Sequence, residues 1–256
     1  MKIAVCIKQV VTREWQLRVS DQKTWIRDQD ASFELNEPDA YALEEALRLK
    51  EKEGGEVIVC SAGPARATQV IREALARGAD RAVHVESEAL TSADANAVAE
   101  ALAGAIKDEQ VDLVLTGLQS DDQGFGQVGV ILAEKLGMPH ATIIMEVQKA
   151  EPGLRVKREL EGGWFQWVAL PMPALLTIQS GINQLRYATL KGIMAAKKKE
   201  IVTIARESLG VTHEPTQRIE RIYVPVKSKK TEFLTGTPKE SAAKLLEKLK
   251  HEARVL

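Results

Sequence analysis

Hydrophobic positions along the chain fall into short solid runs, separated by stretches in which apolar residues recur every third or fourth place. The solid runs are rich in Val and Ile: Lys2 to Ile7, Glu56 to Cys60, Arg81 to Val85 and Val111 to Thr116. Such runs predict strands of a parallel sheet covered on both faces. The spaced stretches predict helices from about Glu37 to Lys52, Pro64 to Arg77, Ala93 to Lys107 and Val128 to Leu136. Asn36 stands as N-cap of the first helix, with Pro38 in its first turn and Gly54-Gly55 as its stop. Thr91-Ser92 is expected to cap the third helix, and Ser61-Ala62-Gly63-Pro64 reads as a tight turn. Regular alternation over the first 140 residues predicts an α/β fold, a mostly parallel sheet doubly wound by helices on both faces.

Two connections are longer than compact α/β units need. The first leaves the opening strand and carries Arg13, Trp15, Trp25 and Phe33 before Asn36. Its part from Arg18 to Phe33 predicts a small hairpin packed down by Val19, Trp25 and Phe33. The second, after Thr116, abruptly loses apolar residues and gains Gly, Ser and Asp before the helix at Val128. Strand, small polar loop and helix together aim backbone N–H groups at an anion. No Lys-Ser/Thr pair follows the glycines, so this is no P-loop, and no GxGxxG is present. With a strand order of 3-2-1-4, ligands would bind where the order reverses, between the first and fourth strands. The loops Cys6–Gln9 with Asn36–Asp39, and Gly117–Val128, would then face one pocket, with Ser61-Ala62-Gly63 as a further wall. A mononucleotide with its phosphate on the last loop is the expectation. Asp121 and Asp122 would repel that phosphate unless turned toward ribose hydroxyls or backbone amides.

Beyond Pro139 the pattern shifts to strands: Ala141 to Gln148, Leu154 to Leu160, Trp164 to Leu170 and Ala174 to Ile178, with a turn at Glu161-Gly162-Gly163. They read as a β-rich extension of the same sheet. Ile201 to Ile204 and Ile222 to Val226 are extended pieces. Thr237-Pro238-Lys239-Glu240 opens a final helix, with Leu245, Leu246 and Leu249 on one face. A net charge of −1 leaves no footprint for nucleic acid. No apolar run approaches the roughly 20 residues a membrane span needs. Met1 to Ile7 is too short for a signal peptide and runs into charged residues, so a cytoplasmic chain is expected. Cys6 and Cys60 lie in apolar runs and read as buried thiols. His84, His140, His213 and His251 show no metal-ligand spacing.

Val156-Lys157-Arg158-Glu159-Leu160-Glu161-Gly162-Gly163, then Gln166, Val168 and Pro173-Ala174-Leu175-Leu176-Thr177, closely resembles the signature of the small (β) subunit of electron-transfer flavoproteins. Arg186-Tyr187-Ala188-Thr189-Leu190, Ile193-Met194 and Ala196-Lys197-Lys198-Lys199 resemble that family's partner-recognition segment. Gly63-Pro64, Gly78-Ala79-Asp80-Arg81 and Val111-Asp112-Leu113-Val114 fit in the same order. The resemblance implies a Rossmann-like, adenine-nucleotide-binding fold over 1–186, a recognition segment at 187–200 and an arm over 201–256 docking on a larger α subunit. It implies a redox FAD held mainly by that α subunit, and in this chain's pocket AMP, or a second FAD in electron-bifurcating members. The matching wall positions are Cys6, Asn36, Asp39, Ala62, Gly117, Gln119, Gln127 and Val128, with Asp121 on the same loop. The partner-binding positions are Leu190, Ile193, Met194, Lys197 and Lys198, with an acyl-CoA-type dehydrogenase as electron donor and a quinone-linked or other acceptor. The Arg13/Trp15 loop would lie toward the flavin of the α subunit. The chain departs from the pattern at Gly117-Leu118-Gln119, where the family has a lysine, and at Asp121-Asp122 and Gly124-Phe125-Gly126. No Ser/His/Asp or Cys/His set is visible, as suits electron transfer, where the cofactor holds the chemistry. A nucleotide-hydrolysing or adenylate-forming α/β enzyme using the same pocket is the competing expectation, and a nucleotide-sensing module a weaker one.

Overall fold

The computed structural model describes residues 1–210, 216–226 and 231–256. Strand β1 (Lys2–Cys6) leads through a two-stranded pair, β2 (Gln9–Val11) and β3 (Phe33–Leu35), into helix α1 (Glu37–Glu53). Then come β4 (Glu56–Gly63), α2 (Thr68–Arg77), β5 (Arg81–Glu86), α3 (Ala95–Ile106), β6 (Leu113–Gly117) and α4 (Val128–Leu136). The second half holds β7 (His140–Ala150), β8 (Gly153–Glu159), β9 (Phe165–Pro171), β10 (Ala174–Ile178), α5 (Leu190–Ala196), β11 (Ile201–Ala205) and α6 (Pro238–His251).

Nine described strands form one sheet in the order β11-β5-β4-β1-β6-β10-β7-β8-β9. The first four sequence-predicted strands therefore lie 3-2-1-4, all parallel. Central β1 shows why: Val5 sits between Val59 and Leu115, and every residue from Ile3 to Cys6 is buried. α1 and α2 cover one face with Leu43, Leu47, Ile71 and Leu75, while α3 and α4 cover the other with Leu102, Ile106 and Leu132. Fully burying one such side chain stabilises by about 1.5–3 kcal/mol. The expected β-rich extension joins the same sheet: β10 lies parallel between β6 and β7, and β8 and β9 follow antiparallel.

Four local expectations are corrected. Ser61-Ala62-Gly63 is not a turn: these residues continue β4, paired with His84-Val85-Glu86, and the chain bends only after extended Pro64, in the short helical turn Ala65–Ala67. The third helix is capped by Asp94 rather than Thr91-Ser92, its Oδ1 accepting from Ala97 N at 2.8 Å. The hairpin after Arg18 shrinks to one bridge between Val19 and Ile26, because Phe33 pairs instead with Val11. The arm expected from residue 201 opens with residues that close the sheet edge, Ile201 pairing with Ala82 and Ala205 with Glu86. One compact unit accordingly runs Met1–Ile222, and Tyr223–Leu256 is a second. The second contains α6, whose capping box forms as expected: Thr237 and Glu240 bond each other's backbone. No residue of α6 is buried. His213 lies outside the described residues.

Candidate functional site

Beyond the C-terminal ends of β1, β4 and β6 lies a hollow of about 110 Å³, open to solvent at its mouth. Cys6, Asn36, Asp39, Ala62, Gly117, Gln119, Gln127 and Val128, named from sequence, all line it. A wall that sequence reasoning missed comes from the third βα unit: Leu90, Val98 and Leu102 turn apolar surface toward the hollow. The Ala-rich face of α3 was its only signal. The first turn of α4 also borders the hollow, and Gln127, its N-cap, makes no side-chain cap bond. Its leading N–H groups are therefore oriented as an anion site would need.

Asp39 and Asn36 hold the walls together. Asp39 is buried at the start of α1, and its two oxygens accept from Lys8 N at 2.8 Å and Gly117 N at 3.0 Å. One carboxylate thus ties the end of β1 to the end of β6. Burial pushes its pKa up to about 7, against the pull of both N–H groups, Asn36 and Lys8. Gly117 must be glycine, since a Cβ there would lie 2.4 Å from Asp39 Oδ1 and 2.8 Å from Asp39 N. Asn36 occupies the N-cap position, but its side chain leaves the helix uncapped. Instead Nδ2 donates to Gln119 O at 3.0 Å and Oδ1 accepts from Asp121 N at 2.9 Å. The expected cap is thus a staple on the loop after β6.

Asp121 does not line the hollow. Its carboxylate turns to the Arg13 guanidinium at 3.3 Å and to Glu37 N at 3.4 Å. Arg13 also pairs with Glu37. Asp122 pairs with Lys8 Nζ at 2.7 Å. The two acids that threatened a phosphate are thus both occupied by cations. The sequence placed Lys8 on a pocket loop but gave it no role of its own, because a single lysine after a strand has no spacing to mark it.

The segment around α5 is anchored at both ends. Arg186 clasps buried Glu44 through Nε at 2.7 Å and also reaches Glu51 at 2.5 Å. Burial works against the Glu44 charge, yet Arg186 and Arg48 hold its pKa below the usual value. At the other end, Arg72 of α2 donates to the carbonyls of Ala196 and Lys199 at 2.6 and 2.7 Å. Lys199 Nζ returns to the carbonyls of Leu75 and Ala79 at the end of α2. Each helix thus caps the other's orphan carbonyls. Gly192 permits the close fit, since a Cβ there would meet Ala76 O at 2.3 Å. The lysine run is therefore not uniform: Lys197 and Lys198 are exposed, and Lys199 is half-buried in this clamp. On the outer surface Leu190 is 84% exposed and Met194 63%, with Ile193 beside them.

Cys6 and Cys60 are free, buried thiols, as expected. Burial pushes the Cys60 thiol up to about 12. Among the described residues, no group of three or more His, Cys, Asp and Glu could hold a metal ion, and no helix is long and apolar enough to cross a membrane.

A family model for the electron transfer flavoprotein domain matches residues 24–209. The chain belongs to the electron transfer flavoprotein family. The electron transfer flavoprotein subunit beta of Methylophilus methylotrophus is 38% identical to it over 258 residues, 96% of this chain and 97% of the relative. The subunit beta of Bos taurus is 37% identical over 261 residues, 100% of this chain and 99% of the relative. That of Bacillus subtilis is 34% identical over 261 residues, the full length of both. Electron transfer is therefore the role of this flavoprotein chain as a β subunit. Its signature run, Val156 to Gly163, forms most of β8 and the turn into β9.

Proposed function

We propose that the chain works in the cytoplasm as the small subunit of a heterodimer whose larger α subunit holds the redox FAD. The hollow at the strand ends holds an adenine nucleotide, either AMP or a second FAD. The observation that carries this reading is the gathering of β1, β4, β6 and the first turn of α4 around one open hollow. Apolar Leu90, Val98 and Leu102 suit the faces of a base. The first turn of α4 and the loop amides suit a phosphate. Bound FAD supplies the electron chemistry. This chain's residues bind, shield and position, and contribute no acid, base or nucleophile.

Electrons arrive from an acyl-CoA-type dehydrogenase docked on Leu190, Ile193 and Met194, and leave to a quinone-linked or other acceptor. A small apolar knob ringed by cations suits a transient redox encounter. Lys197 and Lys198 steer an acidic partner over about 8 Å at physiological salt. Leu245 and Leu246 of α6, half exposed, dock the arm on the α subunit.

Extraction of nucleotides from the co-purified heterodimer, with flavin counted against AMP, tests the reading. One flavin with one AMP supports simple carriage, and two flavins without AMP support bifurcation. One flavin with no second adenylate overturns the assignment of the hollow. ATP turnover by the purified chain alone would favour the enzyme instead.

A further inference from the structure

We infer that Lys8 is the cation that meets the phosphate of a nucleotide in this hollow, with Asp122 as the counter-ion that the phosphate displaces. The inference rests on the adenine-nucleotide reading above and names a residue pair that sets affinity within it.

The root of Lys8 is fixed and its tip is not. Its N–H donates to Asp39 Oδ2 at 2.8 Å, and its carbonyl accepts from Asn36 N at 3.0 Å. Its side chain crosses to the loop after β6, where Nζ donates to Asp122 Oδ1 at 2.7 Å, Gln123 Oε1 at 3.2 Å and Ser120 Oγ at 3.4 Å. An ammonium carries three donors, and one surface loop takes all of them. Lys8 is also the only cationic side chain lining the hollow among the described residues. The only carboxylate lining it among the described residues, Asp39, is already committed to two backbone N–H groups.

Lys8 further borders a second, shallow hollow of about 50 Å³, lined by Trp25, Phe33, Arg66 and Asp122, which shares Ala62, Leu90 and Thr91 with the first. It therefore stands where the two spaces meet. There the phosphate end of a mononucleotide, or the pyrophosphate of a longer ligand, finds its charge partner.

The Lys8–Asp122 pair leaves its side chains 38% and 21% exposed. Ion pairs with that access to water are weak. A phosphate offers the same ammonium several charged oxygens at once and makes the stronger, charge-assisted bonds. Asp122, once released, is carried on an exposed loop and can turn to water. Until then it competes with the ligand, because its charge has the ligand's sign. Asp122 thus lowers affinity for phosphorylated ligands selectively, and Lys8 raises it.

The test is calorimetric titration of the full chain, freed of nucleotide, with AMP and with adenosine. The Lys8→Met change should weaken AMP about tenfold, the loss of one charge-assisted contact, and leave adenosine unchanged. Asp122→Asn should tighten AMP by roughly three- to tenfold, again with adenosine unchanged. Added salt should weaken AMP binding less in Lys8→Met than in the parent chain. An AMP-to-adenosine affinity ratio that is the same in the parent and both variants overturns the inference and leaves the adenine reading standing. Asp122→Asn weakening both ligands alike also overturns it, since Asp122 would then only shape the loop. If neither AMP, FAD nor adenosine binds the parent chain, the adenine reading falls and takes the inference with it. Should Lys8→Met fail to fold, Asp122→Asn decides alone.

Discussion

Removal of the Asn36 side chain should loosen the hollow proposed for a nucleotide while leaving the fold intact. Asn36 is 1% exposed and holds the loop after β6 through Gln119 O and Asp121 N. It makes no side-chain cap to α1, so Asn36→Ala removes no capping bond. Two hydrogen bonds are lost, each worth about 1 kcal/mol net. Both orphaned partners sit on a surface loop and can bond water, which keeps the total near 2 kcal/mol. For a chain of this size that lowers Tm by about 4–8 °C. Asn36→Asp should cost more than Ala, because it sets a carboxylate oxygen against Gln119 O and adds a charge near buried Asp39. Thermal melting by circular dichroism reads the stability, and nucleotide retained after gel filtration reads the hollow. An alanine variant melting within about 1 °C of the parent, with full retention, would refute the staple.

Leu190→Ala should leave stability and the flavin spectrum unchanged, since the side chain is 84% exposed. It should slow electron transfer from the cognate dehydrogenase by roughly 10- to 150-fold, from the roughly 1.5–3 kcal/mol of apolar burial lost at the contact. Unchanged stopped-flow kinetics would count against docking there. Glu109, bound to Arg81 and Lys2, has its pKa lowered from 4.5 to about 2. A lowered carboxylate pKa stabilises the fold above the unfolded value and loses that contribution as pH falls from about 4.5 toward 2. Allowing for solvent screening, Glu109→Gln should cost about 1–3 kcal/mol at neutral pH and nothing at the acid end of that window. Urea melts of both proteins across that range check this, and a pH-independent difference would contradict it. Arg72→Met strips the donors from Ala196 O and Lys199 O. It should speed hydrogen exchange across α5 while the central strands stay protected, and unchanged protection in α5 would speak against the clamp.

The parallel core was legible because solid apolar runs and spaced helical stretches carry their periods openly, and strand order placed three loops at one end of the sheet. What escaped was decided by contacts between distant segments. Asn36 looks like a cap in any local window, but a loop more than 80 residues away takes its side chain. Ser61 to Gly63 are small enough for a turn, yet β5 pairs with them. Ile201 to Ala205 looked like the start of an arm because nothing nearby shows that β5 has a free edge. Asp121 was grouped with the wall residues by adjacency, whereas Arg13, on a loop with no regular pattern, draws it outward. The recognition segment was visible only through its family resemblance. Its clamp depends on Arg72 and Glu44, which look like ordinary helix-surface charges.

Helix α1 reaches both the hollow and the α5 segment from one rod. Its first turn brings Asp39 to the hollow, and farther along Glu44 and Glu51 grip Arg186 just ahead of the exposed leucine. Seventeen residues of helix span about 25 Å and advance about 100° per residue. A single residue inserted between Asp39 and Glu44 would leave the hollow in place and swing both glutamates off their arginine. The interval between the hollow and the exposed leucine is therefore set by a count of peptide units, and a drift in helix length would be felt first as a misplaced α5.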